Sequence, residues 1–127
     1  MEVQGLDYIK INKTIGKPYD LQSDAPNSFN CWTLITHLYP QAPSFEPSEL
    51  KEYIELFNKE KDTLSWVEHD EPQIGDVVLF AKNNYFSHAG VLVDFNKVLH
   101  ASSVCVVIES LDTLKLYYQK QRYYRWQ

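Results

Sequence analysis

At 127 residues the chain has the size of one domain, long enough to bury a core without disulfides or metals. It is 44% apolar and 23% charged, as water-soluble globular proteins are, and its formal charge of −5 gives no strong pull toward nucleic acid or anionic lipid. No run approaches the ~18 apolar residues of a membrane span, so no membrane insertion is expected.

Residues 7–16 carry apolar side chains at 8, 9, 11 and 15 and predict a short helix stopped by Gly16. A loop rich in Pro, Asp, Ser and Asn follows to Ser28. Ser28 or Asn30 can then cap a helix over 31–39, with apolar positions 31, 34, 35 and 38 on one face and Pro40 as its stop. Residues 48–58 form an amphipathic pattern with Leu50, Tyr53, Ile54 and Phe57 together, which reads as packing. A strand over 64–67 and a turn at 70–72 come next.

From there the pattern is β. Strands are predicted over 75–81, 88–95, 98–102 and 104–109, with a fifth inside 117–126 and turns at Asn83-Asn84 and Asn96-Lys97. Short connections favour antiparallel neighbours. Residues 1–127 thus predict a single α+β domain, helices in front of a five- to six-stranded antiparallel sheet. Lys120, Arg122 and Arg125 among the C-terminal tyrosines read as a solvated strand edge, not a nucleic-acid patch.

Two cysteines could form a bridge, but Cys31 stands at a helix start and Cys105 inside Val-Cys-Val-Val-Ile, a buried-strand pattern. Two independent thiols are expected. In the first turn of a helix, unpaired N–H groups and the macrodipole favour a thiolate at Cys31 and can also hold an oxyanion. Taken alone, a buried cysteine facing a sheet is the simpler reading. His88 and His100 on adjacent strands add a base and an orienter, which completes a hydrolytic set. Pairing about the 96–97 turn sets 93 against 100 and 88 against about 105, so the imidazoles are not expected opposite each other. His37 is expected exposed and His69 in an acidic turn. The same residues have zinc-donor chemistry, but no close Cys/His pair of structural-zinc spacing accompanies them, so neither metal nor cofactor is expected.

At these residues the chain resembles the NlpC-type cysteine peptidases, papain-like enzymes that cut bacterial peptidoglycan stem peptides. Gly16-Lys-Pro-Tyr19 is similar to the family's Gly-x-Pro-Tyr opening, 12 positions before Cys31. Gly75-Asp-Val-Val-Leu-Phe80 resembles its Gly-Asp-Leu-Val-Phe-Phe strand, and Ser87-His-Ala-Gly-Val-Leu-Val93 its Ser-His-Val-Gly-Ile-Tyr. Leu99-His-Ala-Ser102 resembles the strand of the third catalytic residue, His100 falling 12 positions after His88. The likeness runs from about residue 5 to the end.

The resemblance implies Cys31 as nucleophile, His88 as general base and acid, and His100 as orienter. The Cys31 N–H and the Tyr19 hydroxyl would serve the oxyanion, and Asn30, Trp32 and Ser87 would border the substrate. It implies a thioester route and a peptidoglycan peptide as substrate, at γ-D-glutamyl-diaminopimelate bonds. Where the family has Asp-Cys-Ser-Gly, this chain has Asn30-Cys31-Trp32-Thr33, losing a negative charge and gaining a bulky wall. A Cys-Trp pair here is similar to phage-tail members, which implies tail proteins as partners. A delivered toxin with an immunity or delivery protein, a thioester-based acyltransferase, and an adaptor without turnover are the other readings. The N-terminus lacks a positive region followed by an apolar stretch, so synthesis in a cytoplasm and action at the cell wall through a virion or delivery system are expected.

Overall fold

The computed structural model describes residues 6–40, 42 and 66–126. Among them are three helices and six strands. They run α1 (Tyr8–Thr14), α2 (Cys31–Leu38), β1 (Trp66–His69), β2 (Val77–Lys82), β3 (Tyr85–Asp94), β4 (Lys97–Ala101), β5 (Val106–Ser110), α3 (Leu111–Tyr117) and β6 (Lys120–Trp126). The helix expected over 48–58 lies outside the described residues.

Helix starts follow the expected chemistry. Asp7 caps α1 by accepting from the N–H groups of Ile9 and Lys10, and Gly16 ends it in the left-handed region at φ +86°. Asn30 caps α2: its side chain accepts from Trp32 and Thr33, while the Thr33 hydroxyl accepts from the Asn30 N–H. Cys31 is therefore fixed as the first residue of that helix.

All strand pairs are antiparallel, in the order β1-β6-β2-β3-β4-β5. Asn83 and Asn84, both at positive φ, close the two-residue β2–β3 turn. Two expectations change. β6 is an interior strand between β1 and β2, not an edge strand; Tyr123 and Tyr124 are paired on both sides, whereas Arg122 pairs with Leu79 of β2 and Arg125 with Val67 of β1. The sheet is also covered on both faces. Val77, Leu79, Val91 and Leu99 pack with α1 and α2 on one side, whereas Val78, Phe80, Leu92 and Val98 meet Leu111 and Leu114 of α3 on the other. α3 was not anticipated, although Ser110 caps it and Leu111 and Leu114 share its inner face.

The segment after α1 is tied to the start of β5 by Gly16 N–H to the Val106 carbonyl and Val106 N–H to the Lys17 carbonyl, 2.8 and 2.9 Å. Tyr19 then bridges Phe29. This threading brings Tyr19 within two residues of the turn leading into Cys31.

Candidate active site

His88 on β3 and His100 on β4 form the centre of the site, with His88 Nε2 2.9 Å from His100 Nδ1. Their rings meet edge to face, with centroids 5.0 Å apart. The expected register is corrected: Gly90, not residue 93, stands opposite His100, because the β3–β4 turn is Phe95-Asn96 instead of Asn96-Lys97 and a bulge between Leu92 and Asp94 shifts the pairing by one residue more. His88 is then the diagonal neighbour of His100 on the same face, a spacing that long side chains bridge. Gly90 clears the space between them, since a Cβ there would come 2.6 Å from Val98 Cγ1 and 3.2 Å from the His100 Cβ.

Cys31 is buried at 5% exposure. Beyond the Gly90–His100 pair β3 and β4 cease to pair. At that opening the Cys31 sulfur accepts from the N–H of Ala89, the residue after His88. The N–H groups of Cys31 and Trp32 also reach the sulfur, as expected of a helix start. Their pull toward thiolate is outweighed, however. Burial pushes the Cys31 thiol up to about 11, so the expectation of a resting thiolate is corrected. His88 is depressed to about 3, first by burial and then by His100 beside it. His100 is likewise lowered by burial, against the opposing pull of Glu109. At neutral pH the resting site is a thiol with neutral imidazoles.

The ring of Tyr118 stacks on His88 at 5.4 Å and 4° between planes. The Lys82 ammonium lies over the Tyr118 ring, 5.4 Å from its centroid. A cleft of about 460 Å³ opens here, lined by Tyr19, His88, His100, Glu109 and Tyr118 among others. Burial and the neighbouring Cys31 and Asp20 raise the Tyr19 phenol, so it stays an O–H donor well above neutrality.

Of the remaining expected site residues, Asn30 and Trp32 are interior. The Asn30 amide is spent on the α2 cap and on the Leu21 carbonyl, 2.9 Å away, and Trp32 is packed in the core at 3% exposure. Ser87 is the extra residue of a bulge between β2 and β3 and is exposed outside the cleft lining. His37, expected exposed, is half-buried against Phe29, and His69 ends β1 instead of sitting in a turn. Cys105 is half-buried just before β5, short of the strand core where it was expected; both cysteines are free. Among the described residues no group of three His, Cys, Asp or Glu side chains is arranged to hold a metal ion. Sequence reasoning missed Glu109. Its signal was the alternation of β5, which sets it two residues beyond Val107, the partner of His100.

The fold is shared with solved structures. The crystal structure of the NlpC/p60 domain of the peptidoglycan hydrolase SagA matches with TM-score 0.57 at 16% identity, over 84% of this chain and 87% of that one. A protein similar to lipoprotein, of the NLP/P60 family from Staphylococcus aureus, matches with TM-score 0.62 at 20% identity. That match takes in 91% of this chain and 39% of the longer one. Identities this low speak for the fold alone. A comparison with curated protein sequences found no match. The NlpC/P60 family model, by contrast, matches residues 16–126, and the chain belongs to the NlpC/P60 family.

Proposed function

We propose that this protein is a cysteine peptidase that cleaves amide bonds in peptidoglycan stem peptides. Family membership and the fold shared with a peptidoglycan hydrolase domain support the reading. The observation that carries it is the His88–His100 contact of 2.9 Å, with the buried helix-start Cys31 held by the N–H of Ala89, the residue after His88.

In this reading the Cys31 sulfur attacks the amide carbon while His88 takes the thiol proton. Making both charges together gains the attraction between them, which offsets the burial that keeps each neutral at rest. The developing oxyanion is met by the Cys31 N–H and the Tyr19 hydroxyl. The C–N bond breaks as His88 returns its proton to the leaving amine, and a thioester remains. Water, deprotonated by His88, then adds to the thioester carbon; the C–S bond breaks, releasing the acid and restoring the thiol. The scissile bond implied by the resemblance is γ-D-glutamyl-diaminopimelate.

The test is digestion of purified muropeptides followed by mass spectrometry of the fragments. Wild type is expected to cleave and Cys31→Ala to lose cleavage by at least ~10³-fold with the fold intact. Equal cleavage by both would rule out the thiol mechanism.

A second reading is favoured by the raised thiol of Cys31: a binding domain, such as a tail component, that keeps the cleft without turnover. Muropeptide binding with no fragments formed would select it.

A further inference from the structure

We propose that Glu109 is a positioning residue of this cleft: its carboxylate fixes the tautomer of His100 and, through it, that of His88. For its catalytic consequence the inference rests on the peptidase reading above. Its statement about protons rests on the two short contacts of His100 and on both imidazoles being neutral.

Glu109, His100 and His88 lie on three adjacent strands, β5, β4 and β3, along one diagonal of the sheet. Glu109 Oε1 is 2.9 Å from His100 Nε2, and His100 Nδ1 is 2.9 Å from His88 Nε2. A carboxylate only accepts, so the proton of a neutral His100 sits on Nε2. His100 Nδ1 is then a lone pair, and the second contact requires the proton of His88 on Nε2. His88 Nδ1 is therefore left with its lone pair, the state a general base needs. Reversing either ring would oppose two lone pairs or two N–H groups within hydrogen-bonding distance.

His100 is 4% exposed, so water offers little substitute for Glu109. The carboxylate itself is about one-third exposed, on the cleft lining, and accepts the imidazole N–H. With His100 neutral, that contact is a charge-assisted hydrogen bond and not an ion pair. Other titratable groups facing the imidazoles are Cys31 at the start of α2, Tyr19 from the preceding loop, Tyr118 after α3 and Lys82 on β2. None of these is a bonding partner of His100 Nε2, which accounts for the choice of Glu109.

The experiment combines long-range ¹⁵N–¹H spectra of the imidazoles with kcat and KM for muropeptide cleavage across pH. It uses wild type, Glu109→Gln and Glu109→Ala, each checked for fold by its amide spectrum. Wild type is expected to show both rings protonated at Nε2. Glu109→Ala is expected to release His100 into mixed tautomers and to lower kcat about 10- to 100-fold with KM within about twofold. Glu109→Gln can accept through its amide oxygen or donate through its NH₂, so it should recover part of kcat and set the tautomers less strictly than wild type. Its acid limb should move about one unit lower, because the neighbouring negative charge is gone. Unchanged tautomers in Glu109→Ala overturn the inference, whatever the activity. So does a scrambled His100 with unchanged kcat. If wild type cleaves nothing while Glu109→Ala still scrambles the rings, the peptidase reading fails and the tautomer assignment stands.

Discussion

Gly90 stands directly opposite His100 with no room for a side chain between them: a Cβ at Gly90 would lie 3.2 Å from the His100 Cβ and 2.9 Å from the Leu99 carbonyl oxygen. The imidazole of His88 can cross to His100 because the position between them on that face is bare. Gly90→Ala must push backbone and His100 apart, at a cost of about 1–3 kcal/mol. We expect a lower urea midpoint and loss of the paired-imidazole pattern in ¹⁵N spectra. A variant with wild-type stability and an intact His88–His100 contact would refute this account of the glycine.

Burial sets the reactivity of Cys31. With the thiol pushed up to about 11, little thiolate exists at neutral pH in the free protein. Alkylation of Cys31 by iodoacetamide is expected to be slower at pH 7 than that of a small model thiol. It should climb about tenfold per pH unit as the thiolate fraction grows. The rate is followed by mass spectrometry, with Cys105 as internal comparison. A rate that is already at plateau near pH 7 would mean that sulfur and His88 rest as an ion pair.

The parts of this site visible in the sequence were those set by local rules. Asn30 before an apolar helical stripe located the start of α2 and thus Cys31, and alternation with Asn turns located β3 and β4. Register was not legible, because the turn falls on Phe95-Asn96, one residue before the Asn96-Lys97 pair that the sequence favours, and a bulge between Leu92 and Asp94 then shifts the pairing again. The net ionisation of Cys31 was not legible either: helix-end N–H groups can be read from order along the chain, but burial depends on what folds over them. Trp32 illustrates the same limit, being a wall in sequence and core in space.

Asp76, in the Gly-Asp pair that opens β2, anchors the sheet. It is fully buried and takes the Arg125 guanidinium in a fork, 2.7 Å from Nε and 2.9 Å from Nη2, while Oδ2 also accepts from the Gln73 N–H. Arg125→Ala leaves a buried carboxylate without its cation and is expected to cost about 3 kcal/mol. Adding Asp76→Asn to that variant should recover part of the loss, since the amide needs no counter-charge. Chemical denaturation of Arg125→Ala, Asp76→Asn and the double variant checks this; additive losses would mean that the two residues do not act as a pair.

Stability should fall on mild acidification, for a reason located in the same two histidines. Both are held below the ordinary histidine value of 6.5 in the folded protein, His88 down to about 3. Between those limits the unfolded chain binds more protons than the folded one, so stability rises with pH there. The contribution is complete above about 6.5 and drains away as pH drops toward the folded-state value. Urea midpoints measured at about pH 7.5 and pH 5 should therefore differ more in wild type than in His88→Gln, which cannot titrate. His100→Gln should flatten the dependence less, because Glu109 offsets part of the burial that keeps this ring neutral. A wild-type protein as stable at pH 5 as at pH 7.5 would show that neither imidazole is shielded from water in the folded chain.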